Sequence, residues 1–150
     1  MIKHIITTLT IGLLFSILVS SCKKEPINDA IEQHWKLERF TTLADNQTVV
    51  CERIYYSITR FVTTVEEKQG PHNYGTFVAR TEYRDNETVL LLKDFKRRWD
   101  TGDSKKDATV EQLLPFGINN PLETAFKIVK LSHNQLILES DYARLELKKF

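Results

Sequence analysis

Few side chains in this 150-residue chain have types and spacings suited to chemistry. His34, His72 and His133 are far apart in sequence, and none stands at the i, i+4 spacing of a helix-borne metal pair. Asp100 and Glu111 occupy the first and twelfth positions of a calcium-loop template. Gly102 then falls at the third position and Lys105 at the sixth, where the turn requires Gly, so the template fails. Gly70 and Gly75 are isolated turn residues rather than parts of a phosphate-cradling loop, and Glu66-Glu67 reads as a solvated strand end. No nucleophile–base pair stands out, so neither an enzyme nor a bound cofactor or metal is expected.

Binding chemistry has better candidates. In the register Ile54, Tyr56, Ile58, Arg60, Val62, one cation stands among apolar neighbours. If that face lines a cavity, Arg60 would hold a carboxylate by paired hydrogen bonds, with Tyr56 assisting. The opposite register, Tyr55, Ser57, Thr59, Phe61, is nearly as apolar, so both facings remain open. Tyr142 and Arg144 form a second cation–phenol pair near the C-terminus, and with Ala143, Leu145 and Leu147 as the core face they are expected to face outward or to pack on Trp35. Lys93, Lys96, Arg97, Arg98, Lys105 and Lys106 make a basic stretch with Phe95 and Trp99 interleaved, and Asp94, Asp100, Asp103 and Asp107 dilute it. A solvated face is the default reading of that stretch, with contact to an anionic lipid or glycan, or a protein docking edge, as the binding alternatives.

The first residues read as an address. Met1-Ile2-Lys3-His4 is a short basic start, and residues 5–19 carry no charge. Fifteen residues make a helix of roughly 22 Å, short of the roughly 30 Å hydrocarbon core, so a signal peptide fits better than a spanning helix. Val19-Ser20-Ser21-Cys22 resembles the lipobox of bacterial lipoproteins. That resemblance implies cleavage between Ser21 and Cys22 and acylation of the Cys22 thiol and new amino group. Two or more acyl chains anchor stably where one does not. Residues 1–21 are then a lipoprotein signal peptide, and 22–28 a lipidated tether.

Removing residues 1–21 takes away one basic side chain, Lys3, and no acid, which leaves 129 residues with 20 of each sign. A balanced chain offers no basic field for nucleic acid. Cys51 becomes the lone thiol and reads as a small buried hydrophobe. Lys23 takes the place after Cys22 where an Asp would resemble an inner-membrane retention signal, so the outer membrane is favoured. Its face stays open.

Residues 29–150 must supply the elements that position these groups. Asn28 or Asp29 is expected to cap a short helix through about Gln33. Strands are expected over 35–42, over 47–66 with a bend or break near Cys51–Arg53, and over 76–84 and 87–96 as a hairpin across Asp85-Asn86. Phe77, Ala79, Thr81 and Tyr83 should share one face. Residues 100–107 read as a polar loop, 109–114 as a short helix stopped by Pro115 and Gly117, and 123–131, 135–140 and 142–149 as strands joined by tight turns. No βαβ alternation is present. The expected fold is an all-β, antiparallel up-and-down barrel of about eight strands, with a sandwich as the alternative.

The chain resembles the lipocalin-like lipoproteins common in Bacteroidetes. The resemblance rests on the lipobox, on Trp35-Lys36-Leu37 opening the first strand, and on the C-terminal series Leu114–Ile118, Phe126–Leu131, Leu136–Leu138 and Arg144–Phe150. True lipocalins place Gly two residues before the Trp, where this chain has Gln33. The resemblance implies a barrel binding a small apolar or amphiphilic ligand, with Trp35 opening the first strand and Arg144 a candidate for the Arg that crosses the Trp. The competing expectation is an envelope interaction or inhibitor module acting through its loops, Asp100–Lys106 first among them. The aromatics Phe40, Tyr56, Phe77, Phe95 and Phe126 have enough volume to fill the interior instead.

Overall fold

The computed structural model describes residues 28–99 and 102–150. The expected signal peptide, Cys22 and most of the tether lie outside the described residues, as do Asp100 and Thr101. Among the described residues, nine strands form one antiparallel sheet: β1 (His34–Thr42), β2 (Thr48–Ile58), β3 (Val62–Glu67), β4 (Thr76–Arg84), β5 (Val89–Trp99), β6 (Gly102–Asp107), β7 (Glu123–Leu131), β8 (Gln135–Glu139) and β9 (Ala143–Lys149). A short helix α1 (Val110–Leu113) continues into a 3-10 turn over Leu114–Phe116.

Every hairpin neighbour in sequence pairs in space, and β9 returns to β1, which closes an eight-stranded barrel. β5 is the corner of the design. One of its edges pairs with β4 throughout, while the other pairs with β7 over Val89–Lys93 and with β6 over Lys96–Trp99. The ladder is irregular where β5 changes neighbours, and Asp94 there takes a φ of 55°.

Alternation builds the core, with Trp35 and Leu37 on β1, Ile54, Tyr56 and Ile58 on β2, and Leu145 and Leu147 on β9 all buried. A plain period of two would break that face at Phe40, Cys51 and Phe95. It is restored by an irregularity between Leu37 and Arg39 opposite Cys51–Arg53, where Arg53 has φ 58°, and by the one at Asp94. The expected distortion near Cys51–Arg53 is therefore a bulge. The chain reverses later, at Thr59–Phe61, where the Thr59 amide donates to the Val62 carbonyl.

Two local expectations are corrected. Residues 29–33 form hydrogen-bonded turns rather than a helix, because β1 begins at His34 and leaves too little chain for a second helical turn. Residues 102–107 form β6 rather than a loop, because the exposed edge of β5 offers a ladder to a sequence with almost no apolar residue of its own.

Candidate functional site

Trp35 and Tyr56 are brought together as cross-strand partners on β1 and β2, both fully buried. Each spends its polar atom inside the fold. The Trp35 indole donates to the Ile31 carbonyl at 2.9 Å, which ties the N-terminal turn over one barrel end. The Tyr56 hydroxyl donates to the Phe116 carbonyl at 2.5 Å, which ties the 3-10 turn to the barrel wall. Burial first, and then the nearby Cys51 thiol, push the Tyr56 phenol well above its ordinary pKa, so it stays a neutral donor.

Arg60 and Arg144 do not join them. β2 ends at Ile58, so the alternation that would aim Arg60 inward stops short. Arg60 belongs to the β2–β3 turn, its guanidinium 5.2 Å from the Phe61 ring centroid. Arg144 lies on the outer face of β9, between the buried Ala143 and Leu145, and pairs with Glu139 at 2.9 Å. It does not reach Trp35, whose partner on β9 is Lys149. Tyr142 packs against the core from the turn before β9.

The interior is occupied by side chains. Trp35, Tyr56, Phe77, Phe95, Phe116 and Phe126 are each less than 2% exposed. α1 and the 3-10 turn plug one end with Leu113, Phe116 and Ile118, all fully buried, and the Phe116 ring meets Phe77 edge-on at 5.6 Å. Cys51 sits at the margin of this core, where burial pushes its thiol up to about 11. Among the described residues no group of three or more His, Cys, Asp or Glu could hold a metal, and no helix is long and apolar enough to cross a membrane.

Open space lies on the outside of the wall. A groove of about 570 Å³ is bordered by Val62, Val78, Arg80, Asp94, Lys96 and Arg98, with Arg97 beside them. Val62 pairs with Arg80 and Val78 with Lys96, all on the face opposite the buried Phe77 and Ala79. The position follows from the fold: the groove sits beside the Asp94 irregularity, where β5 exchanges β7 for β6. Arg80 Nε donates to Asp94 at 3.0 Å, and Lys96 forms an ion pair with Asp107. A second pocket of about 270 Å³ is bordered by Asn119, Asn120, Thr124, Ser140 and Asp141. Asn120 is already committed there to the amides of Leu122 and Glu123.

The basic stretch thus divides. Phe95 enters the core, while Lys96 and Arg98 face the groove and Lys93 pairs with Glu82 and Glu123. The side chains of Trp99 and residues 102–105 lie outside the described residues. Val62, Val78 and Arg80 were missed as site residues. The signal was the β4 alternation itself, which places Val78 and Arg80 on the face opposite Phe77, Ala79 and Thr81.

A second feature departs from expectation. Glu67 is not a solvated strand end, for its side chain is 1% exposed and caps the following loop. Its carboxylate accepts the amides of His72 at 3.0 Å and Tyr74 at 2.7 Å, and meets His72 Nδ1 at 3.2 Å. Burial alone would raise its pKa, but these amides and the imidazole outweigh it and hold the carboxyl below its ordinary value.

Comparison with known proteins agrees with this architecture. A family model described as a lipocalin-like domain matches residues 16–150. The crystal structure of a lipocalin-like protein from Bacteroides uniformis superposes with a TM-score of 0.58 at 15% identity, covering 81% of this chain and 99% of that one. That of an uncharacterized protein from Bacteroides eggerthii gives 0.56 at 16%, covering 79% and 98%. No significant match was found among curated proteins.

Proposed function

The chain belongs to the family of lipocalin-like domains, and on that premise we propose that it is a lipid-anchored envelope lipoprotein that binds a small amphiphilic ligand at its barrel wall. Such domains are in general binding proteins without enzymatic activity, and this chain is read the same way. The observation that carries the reading is the contrast between a barrel filled by six large aromatics and an outer groove of about 570 Å³. That volume falls within the roughly 300–1,000 Å³ of small-molecule sites. Anchoring rests on the lipobox ending at Cys22, and the outer membrane is the favoured location.

Native mass spectrometry of protein extracted from envelopes tests ligand binding. A co-purifying small molecule, lost when Val78 in the groove becomes Asp, supports the reading, while repeated recovery of bare protein overturns it. Metabolic labelling with an alkyne fatty acid tests the anchor: wild type should label and sediment with membranes, and Cys22→Ala should do neither. A second reading, docking of an envelope protein through the loops, is favoured by the β1–β2 hairpin, where Val50 is 81% exposed and Val49 is exposed beside it. Photocrosslinking from position 50 in cells that returns no adduct counts against it.

A further inference from the structure

Resting on the reading that Cys22 carries the anchor, we propose that the outer wall of β1 and β9 docks on the membrane through anionic lipid headgroups. The chain between anchor and barrel limits which surfaces can reach. Cys22 and Asn28 are six residues apart, at most about 20 Å when extended, and Lys23 and Lys24 lie between them. Asn28 opens the turns that lead into β1, and the end of β9 lies beside them, where the Phe150 amide donates to the His34 carbonyl. Lys36 is two residues beyond His34, about 7 Å up the wall.

The charge on this wall calls for an anionic partner. Lys36 and Lys148 are direct cross-strand partners, each next to a buried Leu and so on the outer face. Like charges placed directly opposite repel each other. The acids of this wall are engaged elsewhere: Glu146 with Arg39, Glu139 with Arg144, and Glu66 with Lys68. Glu38 adds its field to that of Glu146 on Arg39. Among the described residues no acid forms an ion pair with Lys36 or Lys148. Beside them Tyr55 pairs with Lys36, and the Phe150 ring meets Tyr55 edge-on at 4.8 Å while remaining 73% exposed. Two unmatched lysines beside an exposed aromatic pair suit the boundary between anionic headgroups and acyl chains. The barrel end itself is a poorer face, because its turns present the exposed acids Asp29 and Asp85. β1 and β9 also stand halfway round the ring from β5 and β4, so docking leaves the groove facing away from the lipid.

The test uses the chain from Cys22 onward, coupled through that thiol to a maleimide lipid in vesicles, so that the tether acts whether or not cells acylate it. Cys51 is buried and stays unreacted. Acetylation by a water-soluble succinimidyl ester, read by peptide mass spectrometry, compares vesicles containing phosphatidylglycerol with phosphatidylcholine alone. Lys36 and Lys148 should react about threefold or more slowly on the anionic vesicles, with Lys68 and Lys96 unchanged. Raising salt should erase that difference. Hydroxyl-radical footprinting should show Phe150 shielded on the anionic vesicles only. Lys36→Gln with Lys148→Gln should lose the shielding while melting no lower than wild type, because the variant removes a repulsion. Equal acetylation on both kinds of vesicle overturns the docking face and leaves the anchor, tested separately by fatty-acid labelling, standing. Protection of Lys96 in place of Lys36 and Lys148 overturns it in favour of the groove wall. Shielding of Phe150 that persists in the double variant overturns the anionic contact in favour of an apolar one.

Discussion

At the residue scale, three buried polar groups make definite demands. Glu67 is ionised and its pKa is lowered by folding, so its contribution is fully present above the ordinary carboxyl value of 4.5 and is lost as pH falls through its lower folded value. Urea titrations from pH 7 down to pH 2.5 should show wild type losing more stability than Glu67→Gln over that acid interval. Glu67→Ala should cost about 1–3 kcal/mol at pH 7, because the amides of His72 and Tyr74 lose their acceptor. Tyr56→Phe should cost about 1–2 kcal/mol in a urea titration by stranding the buried Phe116 carbonyl. Cys51, with its thiol pushed up to about 11, should resist iodoacetamide at pH 8 until the protein is unfolded by denaturant. Residue types made part of this legible. The lone Cys51, with nothing nearby to activate its thiol, reads as buried from sequence, and it is. Glu67 reads as solvated, because its loop partners are backbone amides that no side-chain pattern announces.

At the element scale, α1 and its 3-10 extension act as the stopper of one barrel end. Thr109 caps α1 in a reciprocal box with Gln112, the Gln112 amide reaching Thr109 Oγ1 at 3.4 Å and the Thr109 amide reaching Gln112 Oε1 at 3.1 Å. Thr109→Ala should lower stability by about 1 kcal/mol in thermal unfolding. Gly117 ends the turn with φ 75°, and a methyl group there would lie 3.2 Å from both Leu145 Cδ1 and Phe40 Cγ. Gly117→Ala should therefore cost more than the cap, about 1–3 kcal/mol, through backbone strain and core contact together. Strong periodicity is legible in the residues alone: Phe77, Ala79 and Thr81 share the buried face of β4 as their alternation predicts, and Pro115 with Gly117 stops the helix. The β2–β3 break falls later than the residue types suggest, because Ile54 to Val62 is apolar in both registers and marks no turn. β6 is illegible in the same way, because pairing to β5, a tertiary fact, makes it a strand.

At the scale of the whole molecule, closure is the organising fact: β9 returns to β1, and the ring leaves no free edge around the core. A filled ring should unfold as one unit, and truncating any central aromatic should be severe. Phe126→Ala, for example, should cost about 3–5 kcal/mol in a urea titration. The same filling is the alternative that the aromatics of the sequence already offer, an interior packed by side chains. Trp35 and Tyr56 look like ligand contacts by residue type, but the space they face is taken by other side chains of the chain. Beyond the ring, β6 ends the strand order, and among the described residues its outer edge has no partner. An unpaired edge is a template for a neighbouring molecule's strand, a hazard for proteins held at high density on one surface. Gly102-Asp103-Ser104-Lys105-Lys106-Asp107 is six residues long, charged and without an apolar side chain, which is how edges are kept from recruiting another strand. The composition that makes this segment look like a loop is thus a defence against self-association. Lys105→Val with Lys106→Val should remove that defence, and concentration-dependent light scattering of the double variant should rise where wild type stays flat.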